Sequence, residues 1–67
     1  MMDGADREFS NVEVLDASGL VLRCRIDGKT VGVPPLRMLP GTTIIRRKGA
    51  RGTLVLDCEM ALELGLA

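Results

Sequence analysis

Leu22-Arg23-Cys24-Arg25-Ile26-Asp27-Gly28-Lys29-Thr30-Val31-Gly32-Val33 decides the fold of this chain. Before Asp27, apolar Leu22, Cys24 and Ile26 alternate with Arg23 and Arg25; after Gly28, Val31 and Val33 alternate with Thr30 and Gly32. A period of two is the period of a strand with one buried face. A two-residue hairpin loop requires positive φ at both central positions, and Asp-Gly adopts that conformation at little cost. The turn then fixes the register. Ile26 faces Lys29, Cys24 faces Val31 and Leu22 faces Val33, which makes one side of the hairpin apolar.

On either side of this hairpin the chain continues in short segments. Residues 1–8 lack periodicity and are expected to form a disordered N-terminal tail, leaving 9–67 as one small domain. A first strand is expected over Phe9–Leu15, with Val12 and Val14 on one side and Glu13 on the other. Asp16-Ala17-Ser18-Gly19 has turn composition, since Asp and Ser bond their own backbone and Gly supplies positive φ. The second strand is expected over Leu20–Asp27 and the third over Lys29–Val33. Pro34-Pro35 ends the third strand, because neither residue has an N–H for a ladder. The stretch 33–40 is a stiff connection expected to pack Leu36 and Leu39 on the sheet, or else a rigid docking surface. Thr42-Thr43-Ile44-Ile45 is β-branched, which predicts a fourth strand over Thr42–Arg47. A fifth is expected over Thr53–Leu56.

The period changes after Leu56. Asp57 is a good helix N-cap, Glu59 suits the first turn, and Gly65 sits where a left-handed C-cap residue belongs. Cys58, Ala61 and Leu62 share a face at helical spacing, as do Met60 and Leu64. So short a helix must pack on the sheet to persist. The expected fold class is mainly β: a small five-stranded barrel or strongly twisted antiparallel sheet with a short C-terminal helix.

Size and composition set bounds. A chain of 67 residues buries only about 60% of the surface it exposes when unfolded. Apolar residues make up 46% of it, but Phe9 is the sole aromatic, so the core must be aliphatic. A closed barrel hides such a composition better than a single layer does; so does a homodimer that covers an apolar face or an open sheet edge. Nine basic and nine acidic residues cancel, which leaves no global field to attract nucleic acid or acidic membrane. No apolar run nears the ~20 residues of a membrane span. Two cysteines without a histidine do not make a zinc site, and Cys24 and Cys58 are expected to be small buried hydrophobes. No leader-like segment opens the chain, and a cytoplasmic protein is expected.

Catalysis is not expected. Histidine, tyrosine and tryptophan are all missing, and they supply much of proton transfer at neutral pH. Cys24 and Cys58 have only arginines and carboxylates near them in sequence, so neither has a base to activate it. Gly49-Ala50-Arg51-Gly52 lacks the lysine and the strand-to-helix context of a phosphate loop. No cofactor is implied.

The sharpest candidate for binding is Arg46, Arg47, Lys48 and Arg51, four cations within six residues and no acid among them. Such a cluster suits a solvated turn that keeps an edge from aggregating, an acidic protein partner, or nucleic-acid phosphates. No aromatic lies nearby on which a base could stack. Arg23 and Arg25, with Val21 beside them, form a second basic face that Glu13 is placed to neutralise across strands. The sequence predicts a non-enzymatic protein that binds another macromolecule, a protein first and nucleic acid as the alternative, as a homodimer.

Gly52-Thr53-Leu54-Val55-Leu56-Asp57-Cys58-Glu59-Met60-Ala61-Leu62-Glu63-Leu64-Gly65-Leu66 resembles a segment of AbrB/MazE-type transcription regulators, where a strand runs into a short helix ending in Leu-Gly. Leu64-Gly65 falls seven and eight positions after Asp57, which stands where that family usually has proline. The resemblance implies a dimeric swapped-hairpin barrel that binds DNA through basic residues. That family carries the motif near its N-terminus and continues with further strands, whereas here the motif closes the chain. The same ending is similar to that of small phage-related and mobile-element barrels, a likeness that implies no activity. No DNA-contacting residue carries over from either.

Overall fold

A computed structural model describes residues 6–66. Four strands, β1 (Arg7–Asp16), β2 (Leu22–Ile26), β3 (Lys29–Val33) and β4 (Arg51–Leu56), form one antiparallel sheet in the order β3-β2-β1-β4. A helix, α1 (Cys58–Glu63), follows β4, and a 3-10 turn, Pro35–Arg37, lies between β3 and β4. The fold is mainly β, as expected. The sheet is open, with four strands rather than the five of the expected barrel.

The β2–β3 hairpin matches the predicted register residue by residue: Ile26 opposite Lys29, Cys24 opposite Val31, Leu22 opposite Val33. Asp27 and Gly28 have φ of 50° and 79°, the left-handed pair that twists with the strands. Leu22, Cys24 and Ile26 are buried, and Arg23 and Arg25 are exposed. The second strand starts at Leu22 rather than Leu20. Leu20 and Val21 belong instead to the turn from β1, where Asp16 accepts hydrogen bonds from the Ser18 N–H (3.1 Å) and hydroxyl (2.8 Å).

β1 starts at Arg7, two residues earlier than expected. Arg7 and Glu8 pair with Leu56 and Val55, so they are strand and not tail. Residues 1–5 of the expected tail lie outside the described residues. A bulge interrupts β1 between Phe9 and Val12, where three steps on β1 match two on β4. Asn11 occupies it with φ of 58°, a conformation its short polar side chain tolerates. One extra residue shifts the parity. Phe9, at odd spacing from Val12 and Val14, thereby turns into the same core.

The expected fourth strand over 42–47 is not a strand. Residues 39–44 run beside the outer edge of β4 without a regular ladder. Leu39 N–H donates to the Val55 carbonyl (3.0 Å), and the Thr43 and Ile44 N–H groups converge on the Thr53 carbonyl (2.8 and 3.3 Å). In return the hydroxyl oxygens of Thr42 and Thr43 accept from Val55 N–H (3.0 Å) and Thr53 N–H (2.9 Å). Threonine side chains thus replace the carbonyls a strand would offer, a known competition for these residues. Gly52 permits the close approach, since a Cβ there would lie 2.8 Å from Thr43 Oγ1 and 3.2 Å from Ile44 N.

The core lies on one face of the sheet. Val12, Val14, Leu22, Cys24, Ile26, Val33, Leu54 and Leu56 point into it, and Ile44, Met60 and Ala61 close over them. The connection from β3 crosses to the far edge of the sheet with Met38 against this core, while Leu36 is 98% exposed. The expectation that Leu36 packs on the sheet is therefore corrected: the 3-10 turn that begins at the second proline leaves it in solvent. α1 is capped as predicted, with Asp57 Oδ1 accepting from Met60 N–H at 2.7 Å. Its buried residues are Met60 and Ala61. Leu62, expected on the buried face, is exposed, because six residues of helix cover only the end of the core. Lys29 Nζ donates to the Gly65 carbonyl at 2.7 Å and ties the end of the helix to the start of β3. Among the described residues, no helix is long and apolar enough to cross a membrane.

Candidate functional site

Arg46, Arg47 and Lys48 sit together in an exposed corner between the β4 edge cover and β4 itself. It is not the tip of a two-stranded hairpin, because 42–47 is not a strand. The backbone there is nonetheless fixed. Arg47 N–H bonds the Ile45 carbonyl (2.8 Å) and Ala50 N–H the Arg47 carbonyl (3.0 Å); Gly49 N–H and the Ala50 carbonyl then grip the carbonyl and N–H of Val14 at 2.7 and 2.8 Å. The corner is stapled to β1. Its three cations have no ion-pair partner among the described residues.

Arg51, the fourth predicted residue, opens β4 and turns to the outer face of the sheet. There it meets Glu13 of β1 at 3.8 Å, and Glu13 in turn meets Arg25 of β2 at 3.9 Å. The register explains this row, since Glu13 is opposite both Arg51 and Arg25. Arg51 is therefore joined to the arginine face of β2, with one carboxylate shared by two guanidinium groups. Both contacts are long and solvent-exposed, so neither neutralisation is strong. Arg23, two positions further along β2, faces Asp16. The Ser18 hydroxyl and N–H hold the Asp16 carboxyl below its ordinary value of 3.8, with a smaller contribution from the charge of Arg23. A hollow of about 370 Å³ next to this row is lined by Arg25, Arg51, Glu13 and Asp27, two charges of each sign, together with Ser10 and Asn11.

The other chemistry-bearing groups are structural. Both cysteines are free. Burial pushes the Cys24 thiol up to about 11, which keeps it protonated and inert near neutrality. Cys58 is half-buried at the start of α1. Asp57 is held below 3.8 by the Met60 N–H first, and by Arg37 at 3.5 Å second. No group of three or more metal-ligating side chains occurs among the described residues.

Sequence reasoning missed one feature of the surface, the difference between the two sheet edges. In a two-residue hairpin Ile26 and Lys29 exchange hydrogen bonds, so the N–H and C=O of Thr30 and Gly32 point away from β2. No bond from these groups to another described residue occurs. Around this edge lie exposed apolar side chains: Val21, whose Cγ2 covers Gly32, with Leu20 and Leu36 just beyond the Leu22–Val33 pair. The signal was available in the hairpin itself, but nothing before or after it said which edge would be covered. Compared with known proteins, the chain matches no family model, no curated protein and no solved structure.

Proposed function

We propose that this chain is a non-enzymatic binding module that acts in the cytoplasm by contact with another macromolecule, and that it assembles as a homodimer through the open edge of β3. The observation that supports this is the backbone of Thr30 and Gly32, bare among the described residues, on one side of a sheet whose opposite edge is bonded at Thr53 and Val55. An exposed edge is a template for another strand. Two copies of β3 fit each other about a two-fold axis through Val31. Thr30 then lies opposite Gly32 of the second copy, and the two positions exchange N–H···O bonds in both directions. Gly32 adds no bulk to that seam, and Val21, Leu20 and Leu36 supply the apolar margin that hydrogen bonds alone lack. Pro34, which has no N–H, limits the pairing to this short segment.

Sedimentation velocity tests the reading. The wild-type chain is expected to be dimeric at micromolar concentration. Thr30→Pro removes an outward N–H and leaves the β2 ladder intact, so it is expected to give a monomer with unchanged circular dichroism. A wild-type monomer under these conditions, or a Thr30→Pro dimer, contradicts the reading.

A further inference from the structure

The formal charge of zero conceals a separation along the strands. β1 and β3 run from one end of the sheet to the other, and β2 and β4 run back, so the strand register and the loops joined to it place the charged residues of 6–66 along the sheet. At the end from the Glu13 row upward, Arg23, Arg25, Arg46, Arg47, Lys48 and Arg51 stand against Glu13, Asp16 and Asp27, the last across the hollow beside Arg25 and Arg51, an excess of three positive charges. At the other end Asp6, Glu8, Asp57, Glu59 and Glu63 outnumber Arg7, Lys29 and Arg37, an excess of two negative charges among the described residues. A polyanion close to the surface senses the near end, because at physiological salt charges are screened beyond about 8 Å.

We infer that the basic end, formed by the stapled 46–48 corner and the Arg51–Glu13–Arg25 row, is a docking surface for the phosphate backbone of duplex nucleic acid. Charge complementarity selects a polyanion, and the rigid backbone of the corner holds three of the cations in place. Duplex is favoured over single strand by what the surface lacks. Single strands gain much of their affinity from bases stacked on aromatic rings, and the one aromatic residue, Phe9, is buried in the core. Contacts confined to phosphates carry no base readout, so binding is independent of sequence. Glu13 acts here as an internal competitor that holds two arginines which phosphates would otherwise engage. Arg25 stands opposite Thr30 across the β2–β3 pair, so this surface borders the β3 edge, but the inference does not rest on dimer formation.

Fluorescence anisotropy of a labelled mixed-sequence DNA duplex, titrated with the intact chain at several salt concentrations, tests it. Neutralising about four phosphates predicts a slope of about −3.6 in log K against log salt, and a loss of about 150-fold from about 50 to 200 mM. The variant Arg46→Ala/Arg47→Ala/Lys48→Ala is expected to flatten the slope to about −0.9. Glu13→Gln, checked for fold by circular dichroism, is expected to bind several-fold more tightly than wild type. Arg7→Ala, at the acidic end, is expected to change nothing, and the single strand of the same sequence to bind more weakly than the duplex. The inference is overturned by no binding at about 50 mM salt, by a slope the triple variant leaves unchanged, by Glu13→Gln binding no better, by binding to heparin but not to the duplex, or by a preference for the single strand.

Discussion

Along β4 the outward backbone groups of Thr53 and Val55 are all taken up, by the N–H groups of Leu39, Thr43 and Ile44 and by the hydroxyls of Thr42 and Thr43. Along β3, at the other side of the same sheet, Thr30 and Gly32 present theirs to the surroundings. Both edges carry a glycine, with opposite effects. Gly52 makes room for a covering segment of the same chain, whereas the space at Gly32 is taken by the Val21 side chain while its outward backbone stays bare. A sheet of four strands can close one edge with its own connection, but the connection that covers β4 starts at the end of β3 and cannot cover both. An open edge on β3 is the consequence of that topology.

The largest effect is expected where the cover meets β4. Gly52→Ala puts a Cβ against Thr43 Oγ1 and the Ile44 backbone, which should displace the segment and cost about 2–3 kcal/mol in urea unfolding. A cost near zero would mean the cover is loosely held. Thr42→Val removes the acceptor of the half-buried Val55 N–H and is expected to cost about 1–2 kcal/mol. Thr43→Val does the same at an exposed bond, where water replaces the hydroxyl, and should cost under about 0.5 kcal/mol. If the two threonines rank the other way, the burial argument for the β4 edge fails. At the β3 edge Thr30→Pro should alter the stability of the isolated monomer by less than about 0.5 kcal/mol, since it breaks no bond within the chain.

Acid offers a finer test on the covered side, where Arg37 of the connection meets Asp57 at the β4–α1 corner. The folded-state value of Asp57 is depressed, so its stabilising contribution is complete above the ordinary 3.8 and is lost as pH falls through the depressed value. Asp57→Asn keeps an acceptor for the Met60 N–H but does not titrate. It is expected to flatten the fall of Tm below pH 3.8 without abolishing it, because Asp16 is depressed as well. Equal pH profiles for the two proteins would remove Asp57 from the acid response.

The hairpin was legible to the residue, because Asp27-Gly28 and strict alternation both act locally and agree. The helix was legible at its caps, where Asp57 and Gly65 impose local geometry, but not at Leu62, whose burial depends on how far the helix reaches over the core. The bulge at Asn11 left a trace, an odd spacing between Phe9 and Val12, that alternation alone could not assign to an extra residue. Residues 42–47 misled for a physical reason. β-branched side chains favour extended backbone, and 39–44 does run along β4, but threonine hydroxyls satisfy the neighbouring strand in place of a regular ladder. The four basic residues were legible as a cluster. What sequence could not supply was the register that draws Arg51 and Arg25 to Glu13 and leaves Arg46, Arg47 and Lys48 without an ion-pair partner among the described residues.

Amide hydrogen exchange followed residue by residue at low and high protein concentration tests the central contrast most directly. Thr53 and Val55 should exchange slowly and at the same rate in both samples. Thr30 and Gly32 should exchange fast when dilute and slow markedly when concentrated, as β3 finds a second copy. Thr30 and Gly32 exchanging equally fast at both concentrations, or Thr53 and Val55 exchanging as fast as they do, would contradict the account.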